Sequence, residues 1–171
     1  MNERIKISLV IVITAAVVGG GAYYLWEDKK LEAVNSGKEN VTYARSSKEY
    51  AVMGRMTWSA FECSALASKI EDSVEAERLF LFGYEQGKEF LGALKAEKIK
   101  QEDISQEVPI GITMLLQGPS EEFILGRIHS FAEEEALDEV FKTGNEYNSD
   151  ELQDVIARNE FQNSNCQLIG K

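Results

Sequence analysis

The side chains that could do chemistry in this sequence are few, since it has one histidine and two cysteines among 171 residues. His129 and Glu133 lie four residues apart, a spacing that places both on one face of a helix and could present them to a metal ion. A metal site needs further ligands, and the sequence offers no second histidine and no cysteine cluster. The pattern therefore indicates a surface histidine beside acidic residues, and we predict no metal site.

Catalytic and nucleotide-binding motifs are also missing from the sequence. No G-x-S-x-G motif marks a nucleophilic serine, and a single histidine leaves little material for a catalytic triad. The glycines at 19 to 21 lie in an apolar segment and Gly111 is isolated, so neither indicates a phosphate-binding loop. The consecutive residues Glu133, Glu134 and Glu135 would point in different directions on a helix, unlike the facing carboxylates of a glycosidase. We predict no catalytic residue, no cofactor and no enzymatic activity.

Cys63 and Cys166 are the only cysteines, and they lack the C-x-x-C spacing of a redox or metal motif. If the domain lies in an oxidising compartment, we expect a disulfide bond between them. Closing a loop of roughly a hundred residues would stabilise the fold by at most about 4 to 5 kcal/mol according to the chain-entropy model. Two unrelated buried thiols are the alternative.

The negative charge of the chain is concentrated in its distal part. The formal net charge is −11, and residues 101 to 171 carry 15 Asp and Glu against 4 Lys and Arg. Such a surface repels nucleic acid and anionic lipid, so a partner recognised through charge would be a protein with a basic surface. The alternative is that these carboxylates are solvated faces of helices. The predicted partner-binding residues are Glu121, Glu122, Glu133, Glu134, Glu135 and Asp138.

An uncharged apolar run from Ile7 to Trp26 divides the chain into a short head and a long tail. As a helix it would span roughly 30 Å, the thickness of a membrane's hydrocarbon layer, and Tyr23, Tyr24 and Trp26 suit the headgroup boundary. We predict an inner-membrane, single-pass anchor within residues 1 to 26, with the C-terminal domain in the periplasm or outside. The alternative is a signal segment that is cleaved near its small residues, which would release the protein into the periplasm.

Beyond the membrane segment, the sequence predicts a flexible polar tether over residues 27 to 48 and one extracytoplasmic domain over residues 49 to 171. We expect this domain to be an all-α bundle of four or five helices with no strand. Its first helix, about Tyr50 to Ile70, carries Cys63, and an irregular tail carries Cys166. A disulfide would therefore attach the end of the chain to the first helix.

The clearest helical pattern runs from about Ser73 to Lys98 and precedes a charged connection that reaches Glu107. Apolar and small residues recur there at steps of three and four, which predicts a buried stripe. Gly83 and Gly87 each cost about 1 kcal/mol relative to Ala in a helix, so we expect another backbone to pack close to them. The stripe consists of Ala76, Phe80, Gly83, Gly87, Phe90 and Leu94.

Helix boundaries can also be predicted in the distal half. Pro109 suits the first position of a short apolar helix, and Ser120 suits the N-cap of a long one. Gly144 would end the long helix, and Asn148 with Glu151 has the form of a capping box for the last helix. The predicted apolar face of the long helix is Ile124, Ile128, Phe131, Leu137, Val140 and Phe141.

One family resemblance follows from this layout. Cys63 on an early helix, the segment Phe82-Gly83-Tyr84-Glu85-Gln86-Gly87, an acidic final helical region and the late Cys166 resemble small disulfide-bonded periplasmic helical proteins. These include the immunity proteins that neutralise secreted amidase effectors and the related acid-stress chaperone fold. The resemblance covers about residues 58 to 166, and the chain departs from the pattern in its single cysteine pair and its membrane anchor. It implies an exported helical protein that binds another protein and has no catalysis of its own.

Together, these observations predict a membrane-anchored extracytoplasmic module that binds a basic protein and that inhibits a toxin or assists an envelope complex. The alternative is a structural subunit of a membrane or envelope assembly. In that case the anchor and the face of Gly83 and Gly87 would pack against sister chains, giving a homo-oligomer.

Overall fold

The computed structural model of the chain describes residues 45–171, so the predicted anchor and most of the predicted tether lie outside the described residues. Within residues 45–171, no helix combines the length and the apolar character needed to cross a membrane. The elements in chain order are α1 (Ser47–Lys69), α2 (Ser73–Lys95), α3 (Gln101–Glu107), α4 (Ile110–Thr113), α5 (Glu121–Phe141), β1 (Lys142–Thr143), β2 (Glu146–Tyr147) and α6 (Asp150–Asn163), followed by a 3₁₀ turn at Cys166–Leu168.

The long helices begin at polar caps. Ser46 and Glu49 form a reciprocal capping box at α1, in which the Ser46 side chain accepts from the Glu49 amide and the Glu49 carboxylate accepts from the Ser46 amide. The Asp72 side chain accepts from the Glu75 amide at the start of α2. Ser120 caps α5 by accepting from the Phe123 amide, as its sequence position predicts.

Helices α1 and α2 pack closely along the two predicted glycines. A Cβ atom on Gly83 would lie 3.0 Å from the Cβ of Ala60 and from the ring of Phe61. One on Gly87 would overlap the side chain of Leu125 and lie 3.1 Å from Thr57 Cγ2. The atoms nearest to these glycines are side chains of α1 and α5 of the same chain, whereas the sequence predicts another backbone there.

The interior divides into two apolar clusters. The larger one joins α1, α2, α4 and α5 with the segments that connect them, and its largest fully buried side chains include Phe61, Phe90 and Ile128. The smaller one lies around the disulfide that links Cys63 to Cys166. Its buried members are Cys63, Leu66, Ala67, Leu79, Val140, Ala157 and Cys166. The predicted pairing of the two cysteines is confirmed.

The described domain is mostly helical, as predicted, but it departs from the prediction in three elements. Residues 101 to 107, predicted as a connection, form α3, and Pro109 is the N-cap of α4 where the sequence predicts the first helical residue. A two-stranded hairpin follows α5, where no strand is predicted. Gly144, predicted as a helix stop, lies in the turn of this hairpin with a φ of 64°, a conformation that glycine adopts at low cost.

The apolar face of α5 is rotated relative to the prediction. Phe131, predicted to be in the core, is 52% exposed, whereas Leu125 and Ala132 are buried together with Ile124 and Ile128. The helix touches α1 and α2 on one side and α6 on another, so its buried surface is broader than a single stripe.

Candidate partner-binding site

A groove between the C-terminal half of α5 and the hairpin collects three of the predicted partner-binding carboxylates. We call it the acidic groove, and its volume is about 510 Å³. Ser130, Glu134 and Asp138 recur every fourth residue of α5, so their side chains lie in one row along the helix. The lining residues are Ser130, Glu133, Glu134, Leu137, Asp138, Phe141, Lys142 and Tyr147.

Two aromatic rings line the acidic groove. Tyr147 is 78% exposed and Phe141 is 39% exposed, so each ring keeps surface that a partner can reach. Each ring already faces a cation of the same chain, with Lys142 Nζ 4.9 Å from the centroid of Tyr147 and Lys69 Nζ 5.5 Å from that of Phe141. Carboxylates beside accessible ring faces are a setting that suits lysine and arginine side chains.

Asn148 fixes the hairpin to the end of α5. It is buried, and its side-chain amide donates to the carbonyls of Glu139 at 3.2 Å and Val140 at 2.9 Å, while its side-chain oxygen accepts from Thr143 Oγ1 at 2.9 Å. These bonds satisfy carbonyls that the helix end leaves free. The sequence predicts Asn148 as the N-cap of α6, but the cap is Ser149, which accepts from the Leu152 amide.

The other predicted carboxylates lie elsewhere on α5. Glu121 and Glu122 occupy its first turn, about 18 Å along the helix from Glu133 at 1.5 Å per residue. A hydrogen bond with its own backbone and one with Ser120 lower the pKa of Glu122, which ties this carboxylate to the helix cap. The six predicted residues therefore do not form one surface, and only Glu133, Glu134 and Asp138 share the acidic groove.

Glu135 faces a half-buried carboxylate that the sequence analysis missed. Burial raises the pKa of Glu62, a hydrogen bond from Trp58 Nε1 at 2.8 Å opposes this, and the charge of Glu135 adds to the rise. Glu62 lies inside the helical pattern of α1 with no motif around it, so nothing in the sequence marks it. Its only described hydrogen-bond partner is Trp58, and no nucleophile or metal ligand set accompanies it.

The side chain of His129 packs against aromatic rings of neighbouring helices. Its Nδ1 lies 4.0 Å from a carboxylate oxygen of Glu133, and its ring packs edge-on against Phe61 and Phe80 at centroid distances of 5.1 and 5.2 Å. Within the described part of the chain, no three His, Cys, Asp or Glu side chains are placed to hold a metal ion. The ring of His129 on α5 thus packs against one aromatic ring of α1 and one of α2.

Comparison of the chain with protein-family models, with curated proteins and with solved structures found no match. The geometry of the acidic groove therefore carries the functional argument.

Proposed function

We propose that this protein is a membrane-anchored extracytoplasmic binding module whose acidic groove holds a basic segment of a partner protein. The observation that carries the proposal is the convergence of Glu133, Glu134 and Asp138 with the exposed rings of Phe141 and Tyr147 in one groove. Lysine or arginine side chains of the partner would pair with the carboxylates and stack on the rings.

The charge of α5 supports a basic partner. Residues 133 to 139 carry five carboxylates and no lysine or arginine. The carboxylates of the acidic groove are solvated, so each pair with a partner is worth about 0.2 to 1 kcal/mol and weakens with salt. Such a surface steers a basic partner during encounter and contributes specificity more than raw affinity.

The proposed location rests on the uncharged run from Ile7 to Trp26, and the disulfide fits an oxidising compartment outside the cytoplasm. The resemblance to periplasmic immunity proteins suggests that the partner is a toxin and that the module inhibits it. If the protein instead assists an envelope complex, a basic segment of a protein in that complex would bind in the same acidic groove.

The alternative, a structural subunit, was based on the anchor and on the face of Gly83 and Gly87, and this face is covered within the chain. Gly83 and Gly87 are buried against Phe61, Thr57 and Leu125 of the same chain, so they are not accessible to a sister chain. We therefore place the partner-binding proposal first.

The test compares two triple variants of the full-length protein that change the charge equally. One, Glu133→Gln with Glu134→Gln and Asp138→Asn, neutralises the acidic groove. The matched control, Glu77→Gln with Glu97→Gln and Glu102→Gln, neutralises exposed carboxylates that lie outside the acidic groove. Partners retained from an envelope extract would be identified by mass spectrometry, and their affinity would be measured with purified components at low and high salt.

We expect the groove variant to bind the partner about 5- to 30-fold more weakly, because three solvated pairs together contribute about 1 to 2 kcal/mol. The control should bind like the unmodified protein, and salt should weaken only the binding that depends on the groove. Equal loss in both variants, or binding by the groove variant with unchanged affinity and salt dependence, would contradict the proposal.

A further inference from the structure

The fully buried residues of the last helix and the tail all belong to the smaller apolar cluster. Of the residues C-terminal to Asn148, only Ala157 and Cys166 are buried, and both belong to the cluster around the disulfide. The larger cluster contains no residue of α6 or of the tail. The two clusters can therefore lose their packing separately, as cooperative units of different stability do.

Helix α6 contributes little apolar contact. Ala157 is its only fully buried residue, and the apolar side chains of Leu152 and Val155 are exposed. Ile156 and Phe161 are partly buried against the smaller cluster. The packing of α6 is thus weak relative to that of α1 or α2, and the covalent link at Cys166 supplies much of its attachment.

The tail after Cys166 is held by specific contacts on α2. Arg78 Nη1 donates to the carbonyl of Ile169 at 2.7 Å, and the same guanidinium is fixed by two hydrogen bonds to Glu75 at 2.6 and 2.7 Å. A Cβ atom on Gly170 would lie 2.8 Å from Cδ2 of the Phe82 ring, and the φ of 73° at Gly170 disfavours other residues. The docked tail forms one wall of a cavity of about 590 Å³, whose other wall includes Met56 and Phe82.

The geometry points to a redox-sensitive latch: the Cys63–Cys166 disulfide holds residues 149 to 171 on the domain, and its reduction releases this segment while α1 to α5 stay folded. We call residues 149 to 171 the latch segment. Its release would open the smaller cluster and remove the 590 Å³ cavity. The acidic groove would remain, because Asn148 bonds the hairpin to α5 and lies outside the latch segment.

The chemical step is thiol–disulfide exchange with a dithiol reductant. A thiolate of the reductant attacks one sulfur and displaces the other as a thiolate, and the second thiol of the reductant then resolves the mixed disulfide. Two electrons pass to the protein, which ends with two thiols, and the reductant ends as a disulfide. Cys63 is 1% exposed and Cys166 is 0% exposed, so attack follows a local opening of the latch segment.

Hydrogen exchange with mass spectrometry tests the latch on the full-length protein, kept in detergent because of its apolar run at residues 7 to 26. The probe is dithiothreitol, compared with its absence at the same pH. We expect amide exchange in α6 and the 3₁₀ turn to rise at least tenfold on reduction, while the amides in the centres of α1, α2 and α5 remain protected. Unchanged exchange in the latch segment, or an equal rise in all helices, would overturn the inference.

Two variants make the outcome independent of the reductant. Cys166→Ser should show the fast exchange of the latch segment without dithiothreitol. Arg158→Gln, which removes an exposed ion pair with Asp154 and leaves the disulfide intact, should keep the slow exchange. Slow exchange in Cys166→Ser would overturn the inference. Partner binding at the acidic groove does not enter this readout, so the latch and the proposed function can fail separately.

Discussion

The substitution Gly87→Ala tests whether α1, α2 and α5 pack as closely as described. Alanine is favoured over glycine by about 1 kcal/mol within a helix, so the substitution would stabilise the protein if no atom lay near the new Cβ. At Gly87 the new Cβ would overlap Leu125 Cδ2 and lie 3.1 Å from Thr57 Cγ2, and both of these neighbours are 1% exposed. Neither can move into solvent, and overpacking of this kind costs about 1 to 3 kcal/mol. We therefore expect a net loss of up to about 2 kcal/mol.

Gly126→Ala is the matched control. Gly126 lies within α5, is exposed, and has no atom within 4 Å of the position that a Cβ would occupy. This substitution should stabilise the fold by about 0.5 to 1 kcal/mol, because only the helix preference changes. The free energy of unfolding of both variants would be measured by urea denaturation with the disulfide intact. If Gly87→Ala stabilised the protein as much as Gly126→Ala, the close packing of the three helices would be refuted.

Two further predictions concern Asn148 and Glu62. Asn148→Ala should destabilise the domain by about 1 to 3 kcal/mol in urea denaturation, because it leaves the carbonyls of Glu139 and Val140 without their donor. The control is Asn163→Ala at an exposed position, which should stay within about 0.5 kcal/mol of the unmodified protein. Burial raises the pKa of Glu62, so above pH 4.5 the folded state holds the proton of this carboxyl more often than the unfolded state does. The contribution of Glu62 to the stability of the fold therefore falls as pH rises through the pKa that Glu62 has in the folded state. Glu62→Gln should therefore gain stability relative to the unmodified protein between pH 4.5 and 7, and a difference that does not change with pH would contradict the raised pKa.

Periodicity and capping chemistry were enough to predict the long helices. The burial of Gly83, Gly87 and Phe90 and the cap at Ser120 follow from local sequence, because each depends on spacing or on residue type, although Phe80 of the predicted stripe is 37% exposed. The disulfide could be predicted because the sequence has only two cysteines. Their partners could not be predicted in the same way. The contact between Gly87 and Leu125 depends on where α5 packs, and no local pattern in the sequence specifies this.

The errors arose where tertiary contacts decided the local structure. Asn148 has the residue type of an N-cap, but the carbonyls at the end of α5 compete for its side chain, and Ser149 takes the cap. Phe131 fits the helical period of α5, yet the neighbouring helices cover the adjacent positions.

The candidate site could be predicted in part. The carboxylates Glu133, Glu134 and Asp138 were identified from charge alone, while Tyr147 was missed because its hairpin was not predicted. The raised pKa of Glu62 depends on burial and on the charge of Glu135, which lies 73 residues away in the chain, so sequence reasoning had no signal for it.

The positions of Arg45 and Lys171 have a consequence for engineering the chain. They line two cavities that share Met56, and Arg45 precedes Met56 by about 17 Å of helical rise. A linker of roughly ten residues could therefore join them in a chain that begins at residue 45. Opening the exposed hairpin turn between Gly144 and Asn145 would then give a circular permutant that retains every helix. In that permutant the disulfide would close a loop of about 30 residues instead of spanning 103, and its entropic contribution would fall by roughly 1 kcal/mol.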